Sequence, residues 1–256
     1  MVKLLVIGID AATWKVIKPN IDQLPTFKKL INENHSDTIV LGKDYTILSP
    51  AIWCSMFSGK SVEEHGHKKF VKDGKIVERK DINVKFIWDI LNDKYDIRAL
   101  QVPFIVPPYN FNCNYEPVDY GLSYDINDLE KSIDNLTLKA IEILEDNPDI
   151  FIVVYNELDR LQHFHWGEPI VLEFYKKIDR VLNRLIKYSD KLTIISDHGF
   201  CSKGEARIQT LPDKNDKGEE LKGDHHEEAI LITKNINYTI KKPEDVFYAI
   251  LNEMEQ

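Results

Sequence analysis

The sequence predicts an α/β fold, a single three-layer α/β/α sandwich with a mostly parallel central sheet. Short apolar runs that end in polar residues alternate with segments whose apolar residues recur at helical spacing. This alternation is typical of parallel sheets covered by helices on both faces. A length of 256 residues suits one such unit. We therefore expect one domain over residues 1–256, with small excursions at about 66–80 and 200–222.

Six apolar runs are predicted to form the sheet, because each is short, rich in branched residues and bounded by polar or turn residues. The first begins close to the N-terminus and is too short for a signal peptide, so we interpret it as a strand. The runs are KLLVIGI (3–9), DTIVLG (37–42), IRALQV (97–102), DIFIVVY (149–155), KLTIISD (191–197) and AILIT (229–233).

Helices are predicted between these strands from apolar stripes and from a proline, Pro25, at a position that a first helical turn tolerates. The predicted segments are LPTFKKLINEN, VKFIWDILNDK, INDLEKSIDNLTLKAIEILED, EPIVLEFYKKIDRVLNRLIKY and PEDVFYAILNEM. Two stretches depart from the alternation. FVKDGKIV (70–77) predicts a hairpin around Asp73-Gly74. The stretch from Phe200 to Leu221 is rich in charge and glycine and predicts a solvated excursion.

Composition excludes several classes of protein. A net charge of -9 argues against a surface that holds bulk nucleic acid. No apolar run approaches the roughly 18 residues that a membrane span needs, so no membrane partner and a cytoplasmic location are expected. The three cysteines, Cys54, Cys113 and Cys201, show no C-x-x-C spacing, so neither a disulfide framework nor a thiolate zinc site is indicated.

Acidic and imidazole side chains follow three of the predicted strands, and two further histidines directly precede the last strand. Ligands bind in open α/β sheets beyond the carboxyl ends of the strands, so these side chains should meet at one edge. Aspartate and histidine suit zinc or manganese, and imidazole favours zinc. Each residue alone would more often be a turn former or a helix cap. The set is Asp10, Asp159, His163, Asp197, His198, His225 and His226.

A nucleophile is predicted at Ser49. Ser49 is a candidate N-cap with Pro50 in the first helical position, which places its hydroxyl where the helix dipole favours an anion. Without the metal-type ligands elsewhere, a simple capping role would be the better interpretation. Other nucleophile and phosphate motifs fail: FSGKS would need glycine in place of Cys54 to complete a P-loop, and no G-x-S-x-G elbow exists.

Taken in order, these motifs resemble the alkaline phosphatase superfamily, most closely its type I phosphodiesterase/nucleotide pyrophosphatase branch. The resemblance runs from the first strand to about residue 233. In the first half of the chain it rests on Asp10, on Ser49 ahead of Ser58-Gly59, on His65-Gly66, on a predicted helix that contains IWD, and on Val102-Pro103 with Pro107-Pro108. In the second half it rests on the D-R-x-x-H-x-x-W motif that begins at Asp159, on SDHG, and on a G-x-H loop that ends at His225.

The resemblance implies an alkaline-phosphatase-like fold and a metal-dependent hydrolase of small phosphate esters or diesters. Two divalent ions are implied, zinc first and manganese as the alternative. In-line attack by Ser49, a phosphoseryl intermediate and its hydrolysis by metal-bound water would follow. The implied ligands are Asp159, His163 and His225 for one ion, and Asp10, Asp197 and His198 for the other, with Ser49 bridging toward both.

Several alternatives stay open. A phosphomutase of the cofactor-independent phosphoglycerate mutase type would share the nucleophile and metals, although the spacing from Ser49 to Asp159 leaves little room for its extra domain. A non-catalytic metal- or nucleotide-binding relative is the other alternative. Lys60 is a candidate phosphate contact or a solvated lysine. Asp159 and His163 share a helical face and His165 points elsewhere, so His165 is interpreted as a pocket-wall or packing residue. The roles of His65, His67 and His226 are not settled by the sequence.

Overall fold

A computed structural model of the chain describes residues 1–73, 75–103, 124–215 and 217–255. The strands are β1 (Leu4–Ile9), β2 (His35–Val40), β3 (Val71–Lys72), β4 (Lys75–Ile76), β5 (Ile97–Leu100), β6 (Ile150–Tyr155), β7 (Leu192–Ile195), β8 (Gly199–Ser202), β9 (Gly223–His226) and β10 (Glu228–Lys234). The α-helices are α1 (Trp14–Ile17), α2 (Pro25–Glu33), α3 (Ser49–Ser58), α4 (Val62–His65), α5 (Ile87–Leu91), α6 (Ile126–Glu145), α7 (Glu157–His165), α8 (Pro169–Leu185) and α9 (Asp245–Glu255). Short 3-10 turns are Lys18–Gln23, Arg79–Asp81 and Ile186–Tyr188.

The central sheet has six strands in the order β2-β10-β7-β1-β6-β5. The four strands β5, β6, β1 and β7 are parallel to one another, whereas β10 runs antiparallel to both β7 and β2. The prediction of a mostly parallel α/β sheet is confirmed. Because parallel strands end at one edge, the loops after β1, β6 and β7 meet there.

Helices cover both faces of this sheet. Along β1, Leu5 and Ile7 pack into one apolar core and Leu4 and Val6 into the other, as the alternation of side chains along a strand requires. The first core takes its helical residues from α1, α2, α6, α7 and α8, and the second takes them from α3, α5 and α9. All six residues of β1 are buried, which explains why the run reads as continuously apolar.

The predicted excursions contain regular structure of their own. The hairpin around Asp73 is present, with Val71 paired to Ile76. The stretch predicted to be a solvated excursion is bounded by a two-stranded ribbon, because β8 pairs with β9, and its described residues from 203 to 220 are exposed or half-buried. A Cβ on Gly223 would clash with Phe200 Cε1, so the ribbon packs closely at that glycine.

Some predictions concern residues outside the described ranges. Cys113, Pro107 and Pro108 are among them, so the structure has no bearing on these three. Cys54 and Cys201 are buried, free cysteines. In the described ranges, no helix combines the length and the apolar character needed to cross a membrane.

Candidate active site

The carboxyl edge of the sheet gathers most of the predicted site residues. Asp10 directly follows β1, Asp159 and His163 lie on α7 just after β6, and Asp197 and His198 follow β7. All five come together because the parallel strands that precede them end at the same edge. Asp10, Asp197 and His198 are at most 2% exposed.

Ser49, at the start of α3, also contacts this cluster. It is the first residue of α3 rather than the predicted N-cap, which is Leu48, and no side chain caps the helix. Its hydroxyl donates to Asp10 Oδ1 at 3.2 Å and lies 3.3 Å from His198 Nε2. The capping interpretation is therefore wrong, because the hydroxyl points into the cluster instead of bonding to its own helix.

His198 is held in one orientation. Its Nδ1 lies 2.9 Å from the Gly199 carbonyl oxygen, an acceptor only, so Nδ1 carries the proton and Nε2 presents its lone pair to the cluster. Nε2 lies 3.3 Å from Asp197 Oδ2 and 3.7 Å from Asp10 Oδ1. The other oxygen of Asp197 accepts a hydrogen bond from the Ala11 amide at 3.2 Å.

Asp159 and two histidines form a second group. Asp159 Oδ1 lies 3.2 Å from His163 Nε2 and 3.4 Å from His225 Nε2, and the two Nε2 atoms are 3.3 Å apart. His225 Nδ1 donates to the Ile47 carbonyl at 2.8 Å, which directs its Nε2 toward Asp159. His225 arrives on β9, whose pairing with β8 brings it opposite Phe200.

The donor atoms fit divalent cations. Asp159 Oδ1 and Asp197 Oδ2 are buried and accept no well-directed hydrogen bond from the described residues, although imidazole nitrogens lie nearby. Buried carboxylate oxygens in that state are costly unless a cation or a donor meets them. Two sets of ligand atoms lie within 4.8 Å of one another: those of Asp159, His163 and His225, and those of Asp10, Asp159 and His198.

The second of these sets differs from the predicted one in a single member. Asp159, rather than Asp197, groups with Asp10 and His198, so the two sets share Asp159 and adjoin each other. Asp197 still contacts His198 Nε2 through Oδ2. Two cations held by these residues would therefore be close neighbours.

The buried carboxylates and His198 of this cluster have shifted pKa values. Burial, and then the charges of Asp197 and Asp159, raise the pKa of Asp10 well above its usual range. Burial opposes ionisation of Asp159 as well, but His163 and His225 outweigh it and hold the pKa of Asp159 well below its usual range. Burial lowers the pKa of His198, which favours the neutral imidazole that a metal requires.

Lys60 is not brought to the cluster. Its amine pairs with Glu64 Oε1 at 3.2 Å on the surface, where the Lys60 side chain is 48% exposed. Ser49 begins α3, whose ten residues rise roughly 15 Å along the helix axis, and Lys60 lies beyond the end of that helix. The structure therefore favours the solvated-lysine alternative.

The remaining histidines contact other groups. His165 Nδ1 lies 2.7 Å from Glu168 Oε2, and His226 Nδ1 accepts from the Glu228 amide at 3.3 Å. His65 Nε2 lies 3.0 Å from Ser55 Oγ, and the amide of His67 donates to His65 Nδ1 at 3.0 Å. None of these contacts joins a histidine to the cluster around Asp10 and Asp159.

Two residues that the sequence did not single out support the cluster. Trp53 donates from Nε1 to Asp10 Oδ2 at 3.3 Å. Its position four residues after Ser49, on the same helical face, was the available signal. Gln162 donates to the carbonyl of Ala11 at 3.1 Å and so fixes the turn after β1, where Ala11 has φ 58°. No sequence pattern indicated that contact.

Comparisons with known proteins identify the family and the fold of this chain. The family model described as type I phosphodiesterase / nucleotide pyrophosphatase matches residues 4–250. No curated protein sequence matches the chain. Murine ectonucleotide pyrophosphatase/phosphodiesterase 5, an inactive variant in complex with AMP, has 15% identity and a TM-score of 0.66, and the match covers 100% of this chain and 95% of that one. Phosphonoacetate hydrolase from Sinorhizobium meliloti 1021, in complex with phosphonoacetate, has 13% identity and a TM-score of 0.66 over 98% of this chain and 96% of that one. At such identities the two structures share the fold, which is alkaline-phosphatase-like.

Proposed function

This chain belongs to the type I phosphodiesterase/nucleotide pyrophosphatase family, and from that premise we propose that it is a metal-dependent hydrolase of small phosphate esters or diesters acting through Ser49. Family membership supports phosphoester hydrolysis in general. The nucleophile, the two metal ions and the substrate class are our proposals. The proposed catalytic unit is a single domain over residues 1–256, with the excursions at about 66–80 and 200–222 as its appendages.

One observation carries the proposal. The Ser49 hydroxyl, 8% exposed at the first turn of α3, is within 3.3 Å of both Asp10 Oδ1 and His198 Nε2. A serine of ordinary acidity is a poor nucleophile. It becomes a better one beside groups that accept its proton or stabilise the negative charge of the alkoxide. A serine that served only the helix would have no reason to face an aspartate and an imidazole at the carboxyl edge of the sheet.

The proposed ligands divide between two ions. One would be held by Asp159, His163 and His225, and the other by Asp10, Asp197 and His198, with Asp159 within reach of both. Two ions there would supply Lewis-acid stabilisation of the charge that builds on the phosphoryl oxygens during in-line displacement. The share of imidazole among the donors favours zinc, with manganese as the alternative.

The residues of the chain perform the rest of the proposed reaction. Ser49 Oγ loses its proton to solvent and attacks phosphorus; an Oγ–P bond forms, the bond from phosphorus to the leaving oxygen breaks, and that oxygen takes up a proton. Water then attacks phosphorus and breaks the Oγ–P bond; its oxygen stays on the released phosphate and one of its protons restores the Ser49 hydroxyl. The Gly199 carbonyl fixes the His198 ring toward Oγ, and Trp53 fixes the Asp10 carboxylate. The N-terminus of α3 adds a dipole that favours the anion developing at Ser49.

Two neighbours support the substrate class. One of the structures that share this fold holds AMP and another holds phosphonoacetate, both small phosphorus oxyanions. We propose a substrate of the same chemical class, a small organic phosphate ester or diester.

Turnover and metal content test the proposal together. Metal is measured in the purified protein, and rates are measured for an aryl phosphodiester, an aryl phosphomonoester and an aryl sulfate. We expect metal in the parent and turnover of at least one phosphate ester but not the sulfate. Ser49→Ala should lower that rate by at least about 10³-fold while metal is retained. Ser58→Ala is the matched control, because Ser58 lies on the same helix and bonds only to its own backbone neighbourhood.

Each contrary result is distinct. A parent that holds metal but turns over none of the three compounds would contradict hydrolysis and favour a binding-only relative. An undiminished rate in Ser49→Ala would contradict the phosphoseryl step alone. Transfer of phosphate within a sugar phosphate, without release to water, would favour the phosphomutase alternative.

A further inference from the structure

A second concave surface lies away from the Ser49 cluster. It is a pocket of about 830 Å³ between the end of α4 and the β3–β4 hairpin. No residue of the candidate active site lines it. Its walls are built from the chain between His65 and Ile82, a stretch that the proposed hydrolysis does not use.

The charge of this pocket is opposite to that of the whole molecule. Four lysines line it against two aspartates, Asp73 and Asp81, although the chain carries a net charge of -9. In the described part of the chain, none of the four makes an ion pair, whereas Lys60 and Lys80 nearby pair with Glu64 and Glu78. The four lysines, called here the basic rim, are Lys68, Lys69, Lys72 and Lys75.

The base of the pocket is made of buried side chains, whereas the lysines of its rim are exposed. Val77 and Ile82 are buried, and His65 is fixed between Ser55 Oγ and the amide of His67. His65 accepts the His67 N–H at Nδ1, so it is neutral, and burial together with His67 lowers its pKa to about 4. At neutral pH His65 therefore adds no charge of its own, and the four lysines outnumber the two aspartates of the pocket.

The pocket stands apart from the nucleophile. His65 packs on Ser55, six residues after Ser49 on α3. At about 100° per residue, six residues correspond to about 240°, so Ser55 and Ser49 lie on different faces of the helix. A ligand in this pocket consequently meets a surface other than the one to which Ser49 Oγ points.

We propose that the basic rim binds a polyanion of the di- or triphosphate class, at a site separate from the Ser49 cluster. Four unpaired ammonium groups around one concavity attract a ligand with several adjacent negative charges, because a monovalent anion would neutralise only one of them. Lysine is a common phosphate-binding side chain and contributes a flexible point charge. The proposal does not depend on Ser49 chemistry and survives if the proposed hydrolysis fails.

Lysine footprinting with inorganic tripolyphosphate tests this site directly. The full-length, metal-containing protein and its Ser49→Ala variant are acetylated with and without the probe, and each lysine is quantified by mass spectrometry. We expect the basic rim to be labelled at least about fivefold more slowly with the probe in both proteins, and Lys60 and Lys80 to be unchanged. High salt should abolish the protection, because screening weakens interactions between exposed charges.

A pair of matched variants gives the second measurement. Lys72→Gln/Lys75→Gln should bind tripolyphosphate about tenfold more weakly at the protected site than Lys60→Gln/Lys80→Gln, at two- to fivefold per exposed charge. These positions are exposed, so both variants should fold. Equal protection of all lysines, protection of none, or equal affinities of the two variants would each overturn the proposal.

Discussion

At the scale of single residues, the two histidines of α7 have separate surroundings. His163 Nε2 lies within 3.3 Å of Asp159 Oδ1 and His225 Nε2, deep in the candidate metal cluster. His165, two residues later, contacts Glu168 through Nδ1 instead. Helical geometry separates the two rings, because a step of two residues turns about 200° around the axis.

This difference predicts opposite results for two matched substitutions. His163→Ala should lower the metal content of the purified protein and lower phosphate ester turnover by about 10²-fold or more, because one proposed ion loses a ligand. His165→Ala should keep both within about twofold. Metal analysis and steady-state rates on the two variants check this. Equal metal content in both variants would remove His163 from the proposed ligand set.

The same residues mark how far sequence could define the candidate site. Asp159 and His163 were predicted as neighbours from spacing alone, since residues four apart share a helical face. His225 required the order of family motifs, because the β8–β9 ribbon that carries it was not predicted. Lys60 was a candidate phosphate contact or a solvated lysine, and α3 places it beyond the far end of the helix from Ser49.

At the scale of elements, α2 depends on a side chain from another helix. Its N-cap position is Leu24, which supplies no capping group. Asp179 on α8, 2% exposed, accepts hydrogen bonds from the amides of Thr26 at 3.1 Å and Phe27 at 2.8 Å. These are two of the four N–H groups that a helix leaves unpaired at its start.

Removing this cap should destabilise the protein without affecting its chemistry. Asp179→Ala leaves two amides without their acceptor and should lower the free energy of unfolding by about 2 kcal/mol. Asp179→Asn keeps one carbonyl oxygen as an acceptor and should cost less. Chemical denaturation of both variants measures the effect, and metal content should match the parent. An unchanged denaturation midpoint in Asp179→Ala would contradict the assigned role.

Elements differed in how well the sequence predicted them. The six sheet strands were recovered because buried parallel strands form continuous apolar runs. The end of β2 was shifted, from a predicted 37–42 to His35–Val40, since an exposed edge strand carries a weaker apolar signal. The β8–β9 ribbon was missed because its strands are four residues long, and each begins with a glycine, a residue more typical of turns.

At the scale of the whole molecule, the site concentrates negative charge where the sheet is most buried. Asp10 and Asp197 are almost completely enclosed, and Asp159 lies beside them. Burial, and then repulsion from Asp197 and Asp159, which follow two other strands, raises the pKa of Asp10 well above its usual range. Divalent cations bound at the cluster would offset the free-energy cost of burying these carboxylates, because the free energy of binding to the folded state adds to the free energy of unfolding.

Metal removal should therefore lower the thermal stability of the whole chain. At a metal concentration about 100 times the dissociation constant, binding stabilises the folded state by about 2.7 kcal/mol, which corresponds to about 5–10 °C in Tm for a chain of this size. We expect a chelator to lower the Tm of the parent by that amount and added zinc or manganese to restore it. Ser49→Ala keeps the carboxylate and imidazole ligands and should respond like the parent. Asp159→Asn weakens the residue shared by both sets of ligand atoms and should respond little, so an equal shift in Asp159→Asn would place the stabilising metal elsewhere in the chain.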